Sequence, residues 1–342
     1  MSAIHFVVLS DRPDDNNRTN SSQVDTPLRA MVNSILLHTS VPVAFHVILS
    51  QNSIDWLDEM DSPFFQVNFY NYEKLGYLGN AIRMIKKTKF RSKHPAMPYP
   101  MTKPFLSTLP LPGRDQGHIQ RVLVLDDDIL FWEDPVKLLK LLPPDKLALS
   151  CPIDPKRVDR YFTKTKTVNN GHQSRFCNAG FIHMPILPRR DHPLYRETND
   201  VLDMYIESIE AMTKEYPKEN YICSDQQVYN RVFRWNEHKM GNIPCDWHCD
   251  YNSQRFTKGW TFSNCPEIGQ PGPDGEVVQC KMFHLLNGGY KDKSLQMDKE
   301  EHGYKNYLEK IPMKLLYTEF MPRILGPNAR QCSEAATTKA IV

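Results

Sequence analysis

Apolar and polar segments alternate along the first 145 residues in a pattern that predicts an α/β fold. Ile4–Ser10 is a nearly continuous apolar run, which is typical of a strand covered on both faces. A helix is predicted to begin at Thr26, because proline follows it and apolar residues then recur at helical spacing. The pattern continues with a strand, a short helix and a strand, at Val43–Leu49, Ile54–Met60 and Gln66–Tyr70. Strands separated by helices predict a parallel sheet with right-handed crossovers.

The strongest strand candidate, Arg121–Leu125, ends in three consecutive carboxylates. Asp126, Asp127 and Asp128 follow it directly, before Ile129–Phe131 becomes apolar again. Like charges this close repel one another unless a cation compensates them, and hard oxygen ligands suit Mg²⁺ or Mn²⁺. The carboxyl edge of an open α/β sheet is also where ligands bind. We therefore expect a metal site here; the alternative is an acidic loop or helix cap.

Composition and charge exclude several classes of protein. The 342 residues carry 42 basic and 40 acidic side chains, a formal net charge of +2, so no overall field favours nucleic acid or an anionic membrane. No apolar run approaches the ~18 residues that a membrane-spanning helix needs. The first residues lack the apolar core of a secretory signal peptide. Either the protein is cytoplasmic, or the chain is the catalytic region of a longer precursor.

All eight cysteines lie from Cys151 onward, and five of them fall between Cys223 and Cys280. Three interpretations are open for them: disulfides, buried free thiols, or a zinc site that uses the last four of those five. Two glycosylation sequons, which begin at Asn17 and Asn20, favour the secretory pathway and therefore disulfides.

Five motifs in the right order resemble those of the family 8 retaining glycosyltransferases. The first is the apolar strand with Asp126-x-Asp128. The others are Asn178-Ala179-Gly180, Asp225-Gln226, Pro244-Cys245-Asp246-Trp247, and His284 followed by Gly288 and Lys291. The resemblance extends from about Ile4 to about Tyr307. It implies the GT-A type of α/β fold: a Rossmann-like, mostly parallel central sheet flanked by helices, with a smaller acceptor-side subregion.

The resemblance also implies a domain organisation and a set of site residues. Residues 1–325 would form one domain, with a nucleotide-binding half at 1–145 and a donor-sugar and acceptor half at 146–325, before a polar tail at 326–342. Asp126, Asp128 and His284 would bind Mn²⁺ or Mg²⁺, and Asp225 and Gln226 would lie at the reacting centre. The expected contacts to the UDP-sugar donor are Ser10, Lys103, Asp127, Asn178, Gly180, Gly288 and Lys291.

Within the family, the cysteine-rich stretch before His284 and the segment Asn287-Gly288-Gly289-Tyr290 are most similar to eukaryotic glucoside xylosyltransferases. Phe69-Tyr70-Asn71 resembles the xylosyl- and glucuronyltransferases that build matriglycan. Both groups imply UDP-xylose as donor, a glycan or glycoprotein acceptor, and a Golgi or endoplasmic reticulum lumen. They also imply a membrane anchor that is absent from this chain. No nucleic-acid partner is implied.

The sequence departs from the family pattern at two places. Gly288 and Lys291 follow His284 one residue later than usual, and Gln227 stands where most members carry a second aspartate. Two alternatives therefore remain beside a xylosyltransferase: a transferase that uses UDP-glucose or UDP-galactose, and an inactive family member that serves as a binding protein. The position of the Asp-x-Asp motif, far from the first strand, disfavours a haloacid-dehalogenase-type phosphatase.

Overall fold

The computed structural model describes fourteen parts of the chain, two of which are single residues, and every structural statement below concerns them. They are residues 3–10, 26–49, 53–72, 74–75, 99–112, 118–151, 177–186, 203–211, 214, 225–235, 239–251, 265, 268–285 and 312–326.

Ten strands belong to the described residues. They are β1 Ile4–Leu9, β2 Val43–Leu49, β3 Phe65–Asn71, β4 Arg121–Leu125, β5 Ile129–Phe131, β6 Ala148–Ser150, β7 Asn178–Pro185, β8 Gly241–Asn242, β9 Cys249–Tyr251 and β10 Met282–Leu285. The α-helices with defined bounds are α1 Thr26–His38, α2 Asp55–Asp58, α3 Pro135–Leu141, α4 Asp225–Trp235, α5 Pro312–Leu315 and α6 Met321–Leu325. Two 3₁₀ helices, Tyr99–Thr108 and Cys245–Trp247, a π-helical turn, Leu316–Phe320, and helical residues 203–211 complete them.

The strands form two sheets. The large sheet has the order β3-β2-β1-β4-β7-β6-β8, and the small sheet has the order β5-β10-β9. In the large sheet, four pairs of neighbours are parallel and two, both involving β7, are antiparallel. The expected mostly parallel α/β sheet of the GT-A type is therefore confirmed. The sequence pattern did not predict the antiparallel strand β7 or the separate small sheet.

The apolar run of β1 is explained by burial on both faces of the large sheet. Phe6 packs against Phe45 and Phe131, with ring centroids 5.3 Å and 6.0 Å away, in the core that α1 covers. Val7 points to the opposite core, which includes Val124. A strand enclosed in this way buries successive residues, so its sequence is continuously apolar instead of alternating.

Most element bounds predicted for the first half agree with the structure. The helix begins at Thr26 and the second and fourth strands have the expected limits, whereas the short helix predicted at Ile54–Met60 is confined to Asp55–Asp58. The parallel pairing of β1, β2 and β3 is confirmed. The division into two functional halves remains a prediction.

Candidate metal and donor site

Three side chains predicted as metal ligands converge where the chain passes from the large sheet to the small sheet. Asp126 and Asp128 lie in the link between β4 and β5, and His284 lies on β10. One ligand atom from each of the three lies within 4.8 Å of the others. His284 Nε2 is 3.1 Å from Asp128 Oδ1 and 3.9 Å from Asp126 Oδ2.

Strand pairing explains why a histidine so distant in sequence reaches these carboxylates. β10 runs antiparallel to β5, and His284 pairs with Ile129, the residue directly after Asp128. Asp126 is fixed from the other sheet, because its backbone N–H donates to the carbonyl oxygen of Gly180, 2.8 Å away, on β7. The site is thus assembled from both sheets.

The residues present fit a divalent cation. Two carboxylates and one imidazole are suitable ligands for Mn²⁺ or Mg²⁺, and imidazole favours Mn²⁺. Ligands about 2.1 Å from a six-coordinate ion are separated by roughly 3 to 4.2 Å, and the distances from His284 Nε2 to the two carboxylates, 3.1 Å and 3.9 Å, lie in that range. Asp128 Oδ1 is buried, yet it accepts no hydrogen bond of good geometry from any described residue. A metal ion would satisfy that oxygen.

Lys103 places a buried positive charge beside the candidate ligands. Its Nζ is 2.7 Å from Asp126 Oδ1, 3.0 Å from Asp225 Oδ2, and donates to the carbonyl oxygen of Ala179 at 2.8 Å. Burial alone would lower the pKa of Lys103, but the two carboxylates outweigh burial and raise it above its ordinary value. These three acceptors match the three N–H bonds of an ammonium group.

The carboxylates of the site outnumber its cations. Burial raises the pKa of Asp126 to about 6, Asp128 adds to the rise, and Lys103 opposes it. The side chain of Asp126 nevertheless keeps 35% of its surface exposed, against 6% for His284. The site therefore keeps a net negative charge that attracts a cation. The exposed part of Asp126 leaves one side of such a cation open to a further ligand.

The first turn of α4 brings Asp225 and Gln226 to the same region. Asp225 reaches Lys103, as described above, and Gln226 is half-buried beside it. Asn230, one turn later, holds this helix end in place: its amide Nδ2 donates to the carbonyl oxygens of Gln226 and Cys177, at 2.6 Å and 2.9 Å. The pair predicted at the reacting centre is therefore anchored to the start of β7.

The segment Asn178-Ala179-Gly180 contacts the site mainly through its backbone. Asn178 Oδ1 accepts from the N–H of Gly180 at 2.8 Å, and Ala179 accepts from Lys103 as above. A Cβ atom on Gly180 would lie 2.3 Å from His284 Cε1, closer than real Cβ contacts come. Gly180 therefore leaves space for the imidazole of His284, a function that its sequence neighbours do not reveal.

The other predicted donor contacts have less defined positions. Val8 of β1 pairs with Leu125 of β4, so Ser10 and Asp127, each two residues further along, lie at the same edge of the large sheet. The backbone N–H of Ser10 donates to Ile48 at 3.0 Å, which continues the pairing of β1 with β2. Gly288 and Lys291 lie outside the described residues.

Sequence reasoning missed His248. This residue is fully buried, and its Nε2 lies 3.1 Å from Nδ1 of His284. Burial, followed by the effects of His284 and Lys103, holds the pKa of His248 well below its ordinary value. No local signal in the sequence marks it, because the pairing of β9 with β10 brings the two histidines together.

Three disulfides stabilise the regions around the site. Cys151 pairs with Cys177 next to β6 and β7, while Cys245–Cys265 and Cys249–Cys280 connect the segments around β9 and β10. The zinc interpretation is therefore wrong, because these pairs engage all four cysteines that it needed. The disulfide interpretation is confirmed for these six residues.

A protein-family model matches most of the chain. The family model described as glycosyl transferase family 8 matches residues 26–260. No curated protein sequence matches the chain.

Solved structures show a similar fold. Mouse xyloside xylosyltransferase 1, in its apo form, is 14% identical, with 83% of this chain and 98% of that chain covered and a TM-score of 0.57. The bifunctional glycosyltransferase WbbM, in its apo form, is 17% identical, with 92% of this chain and 51% of that chain covered and a TM-score of 0.53. The galactosyltransferase LgtC, in complex with donor and acceptor sugar analogues, is 14% identical, with 90% and 95% covered and a TM-score of 0.50.

Proposed function

This chain belongs to glycosyl transferase family 8, and on that premise we propose that it is a retaining, metal-dependent xylosyltransferase. The proposed donor is UDP-xylose, and the proposed acceptor is a glycan or glycoprotein. The observation that carries the proposal is the convergence of Asp126, Asp128 and His284 from two sheets, next to Lys103 and Asp225. Such a cluster suits glycosyl transfer from a nucleotide sugar, because the departing diphosphate carries negative charge that must be stabilised.

Asp126, Asp128 and His284 would hold Mn²⁺, or Mg²⁺ as the second choice. Bound there, the ion would supply Lewis-acid stabilisation of the diphosphate. We assign Lys103 a different function from direct contact with the nucleotide, because its ammonium group already has three protein acceptors. It compensates the charges of Asp126 and Asp225 and keeps the two carboxylates at a fixed separation.

Gln226 and Asp225 would act on the donor sugar. An amide is a poor nucleophile, so we favour departure and attack on the same face of the sugar, with the Gln226 oxygen stabilising positive charge at the anomeric carbon. Asp225 would orient the sugar, while its carboxylate oxygen Oδ2 is held by Lys103. Asn178, Gly180, Ser10 and Asp127 complete the proposed donor-binding set, with Gly288 and Lys291 as further candidates.

Two features support a lumenal xylosyltransferase. One solved structure with the same fold is a xyloside xylosyltransferase. The three disulfides favour an oxidising compartment such as the Golgi or endoplasmic reticulum lumen. Among the described residues, no helix is both long and apolar enough to cross a membrane.

A donor screen tests the proposal. The purified protein is incubated with Mn²⁺ and UDP-xylose, UDP-glucose, UDP-galactose or UDP-glucuronate, and UDP release is measured. Asp128→Asn removes one ligand charge with little change of shape, and Asp58→Asn is its matched control, because Asp58 is exposed on α2. Gln226→Ala is measured in the same assay and in UDP binding.

We expect UDP release from UDP-xylose alone, at least ~100-fold lower in Asp128→Asn and unchanged in Asp58→Asn. Gln226→Ala is expected to lower turnover strongly while UDP binding stays nearly intact. Release from UDP-glucose or UDP-galactose instead would keep the transferase and change its donor. Binding of UDP with Mn²⁺ but no release from any donor, with simple sugar acceptors present, would favour the inactive binding protein.

A further inference from the structure

The imidazole of His284 lies between two polar partners that contact its two nitrogens separately. Nε2 faces the carboxylates of Asp128 and Asp126, at 3.1 Å and 3.9 Å. Nδ1 lies 3.1 Å from Nε2 of His248, on the side away from the carboxylates. Both residues are buried, with His284 4% exposed and His248 0% exposed.

The position of the proton follows from the chemistry of a metal ligand. A nitrogen that binds a metal must present a lone pair, and a neutral imidazole carries one N–H bond. If Nε2 of His284 binds the ion, its proton must be on Nδ1, where the nearby acceptor is Nε2 of His248. In the tautomer of His248 that carries its proton on Nδ1, Nε2 presents the lone pair that accepts this hydrogen bond.

The fold restrains His248 from several directions. Its backbone N–H donates to the carbonyl oxygen of Cys245 at 3.0 Å, which ends the 3₁₀ helix Cys245–Trp247. Its ring meets the edge of Phe181, with centroids 6.1 Å apart and planes at 84°. The next residue, Cys249, pairs with Phe283 in the small sheet and is bound to Cys280.

We propose that His248 is a positioning residue for the metal site: it accepts a hydrogen bond from Nδ1 of His284 and so turns Nε2 toward Asp126 and Asp128. This inference rests on the proposed metal-binding function of those three residues. Outer hydrogen-bond partners of this kind set the orientation and tautomer of metal-binding histidines, and their loss typically weakens metal binding about 10- to 100-fold.

Two substitutions separate the hydrogen bond from the packing of the ring. His248→Phe keeps an aromatic ring of similar size and removes the acceptor. His248→Gln loses the ring but carries an amide oxygen at about the distance of Nε2. Mn²⁺ binding in the presence of UDP is measured from the electron paramagnetic resonance signal of free Mn²⁺, with the melting temperature of each variant beside it.

We expect His248→Phe to bind Mn²⁺ about 10- to 100-fold more weakly than the parent and His248→Gln to bind nearly as well. A purely structural role predicts the reverse order, because the phenylalanine variant preserves packing better. Mn²⁺ affinity equal to the parent's in a folded His248→Phe protein would overturn the inference.

A second measurement needs no substitution in His248. Long-range ¹H–¹⁵N spectra of the parent with Mg²⁺ and UDP report which nitrogen of each histidine is protonated, and His284→Ala identifies the signals of His284. We expect its proton on Nδ1; a proton on Nε2 in the metal-bound protein would overturn the inference. If the parent binds no metal and Asp128→Asn behaves identically, the proposed metal site fails first, and the role of His248 with it.

Discussion

The large sheet and the small sheet are held together by different forces. Strands of five to eight residues dominate the large sheet, and its central strands are buried between two apolar cores. The strands of the small sheet have only three or four residues, and disulfides lie directly beside them. Ile129, Phe131 and Met282 of the small sheet reach one of these cores, but its short strands contribute few residues to it, so the two disulfides add stability.

This difference matters because the candidate metal site needs both sheets. The large sheet contributes the rigid end of β4, from which Asp126 and Asp128 emerge, and the small sheet contributes His284. A change that loosens either sheet should affect metal binding, but through different residues and under different conditions. The three predictions below use that contrast.

The largest effect is expected from removal of the disulfide that spans the small sheet. Replacing Cys249 and Cys280 by alanine opens a link between residues separated by 31 positions. We expect a loss of roughly 2 to 4 kcal/mol in the free energy of unfolding, because the unfolded chain regains conformational freedom. Mn²⁺ affinity should fall as well, since β9 and β10 lose their covalent connection. Denaturant unfolding and Mn²⁺ titration measure the two effects.

The disulfide of the large sheet supplies the control. Cys151 and Cys177 are separated by 26 positions, so their removal should cost a similar amount of stability. The side-chain amide of Asn230 still accepts from the N–H of Cys177 and donates to its carbonyl oxygen, and β7 stays paired on both sides. Mn²⁺ affinity should therefore change little. An equal loss of Mn²⁺ affinity in both double variants would contradict the contrast between the sheets.

An intermediate effect is expected where the sheets meet, at Gly180. In Gly180→Ala the new Cβ atom would displace the buried ring of His284, because its distances to three ring atoms are 2.3 Å, 2.7 Å and 2.9 Å. We expect Mn²⁺ affinity to fall about 10- to 100-fold, as for other disturbances around a metal-binding histidine. Isothermal titration with Mn²⁺ and UDP measures it.

Gly269→Ala separates this displacement from a general loss of stability. Gly269 has a φ of 82°, which strains any other residue, but a Cβ atom there meets nothing within 4 Å. It should lower the melting temperature and leave Mn²⁺ affinity unchanged. A Gly180→Ala protein with normal Mn²⁺ affinity and a raised KM for the donor would instead support a direct contact between Gly180 and the sugar.

The smallest effect concerns pH and the large sheet. His46 is buried and His5 is half-buried, with Nδ1 of His5 3.0 Å from Nε2 of His46, and burial lowers the pKa of His5 to about 4 and that of His46 to about 3. The unfolded chain, with a histidine pKa near ~6.5, binds protons first as pH falls. Stability should therefore be intact above pH ~6.5 and decline toward pH ~4. By pH ~5 the loss is on the order of 1 to 2 kcal/mol per histidine.

Unfolding at pH 7.5, 6 and 5 measures this decline. His46→Phe should be less stable than the parent at pH 7.5 but should lose less stability on acidification. His118→Gln is the matched control, because it replaces an exposed histidine and keeps both His5 and His46. The same slope in His46→Phe and in the parent would show that acid sensitivity arises elsewhere.

The sequence allowed good prediction where each residue's environment depends on its neighbours along the chain. The bounds of α1, β2 and β4 follow from hydrophobic periodicity and a local helix start. The carboxylates at the end of β4 are adjacent in sequence, so their candidate role was visible as well. His284 was identified only because its surrounding motif resembles a family, and nothing local marks it as a ligand.

Other features were out of reach because they depend on register between distant strands. The partner of His284 depends on the pairing of β9 with β10, 36 positions apart at the two histidines. The contact of Lys103 with the nucleotide stays a prediction, but the sequence did not show that its ammonium group contacts Asp126, Asp225 and Ala179. Disulfide pairing was similarly undetermined, since several connectivities are compatible with the same cysteines.

By itself, then, the sequence determined the alternation of strands and helices, the acidic end of β4 and the family. These depend on hydrophobic periodicity and short motifs, which act over a few residues. Only the tertiary structure decided that His284 lies against Asp128, that Gly180 makes room for it and that His248 contacts its other nitrogen. Such contacts are set by strand register and by close packing between segments far apart in the chain, which no local pattern encodes.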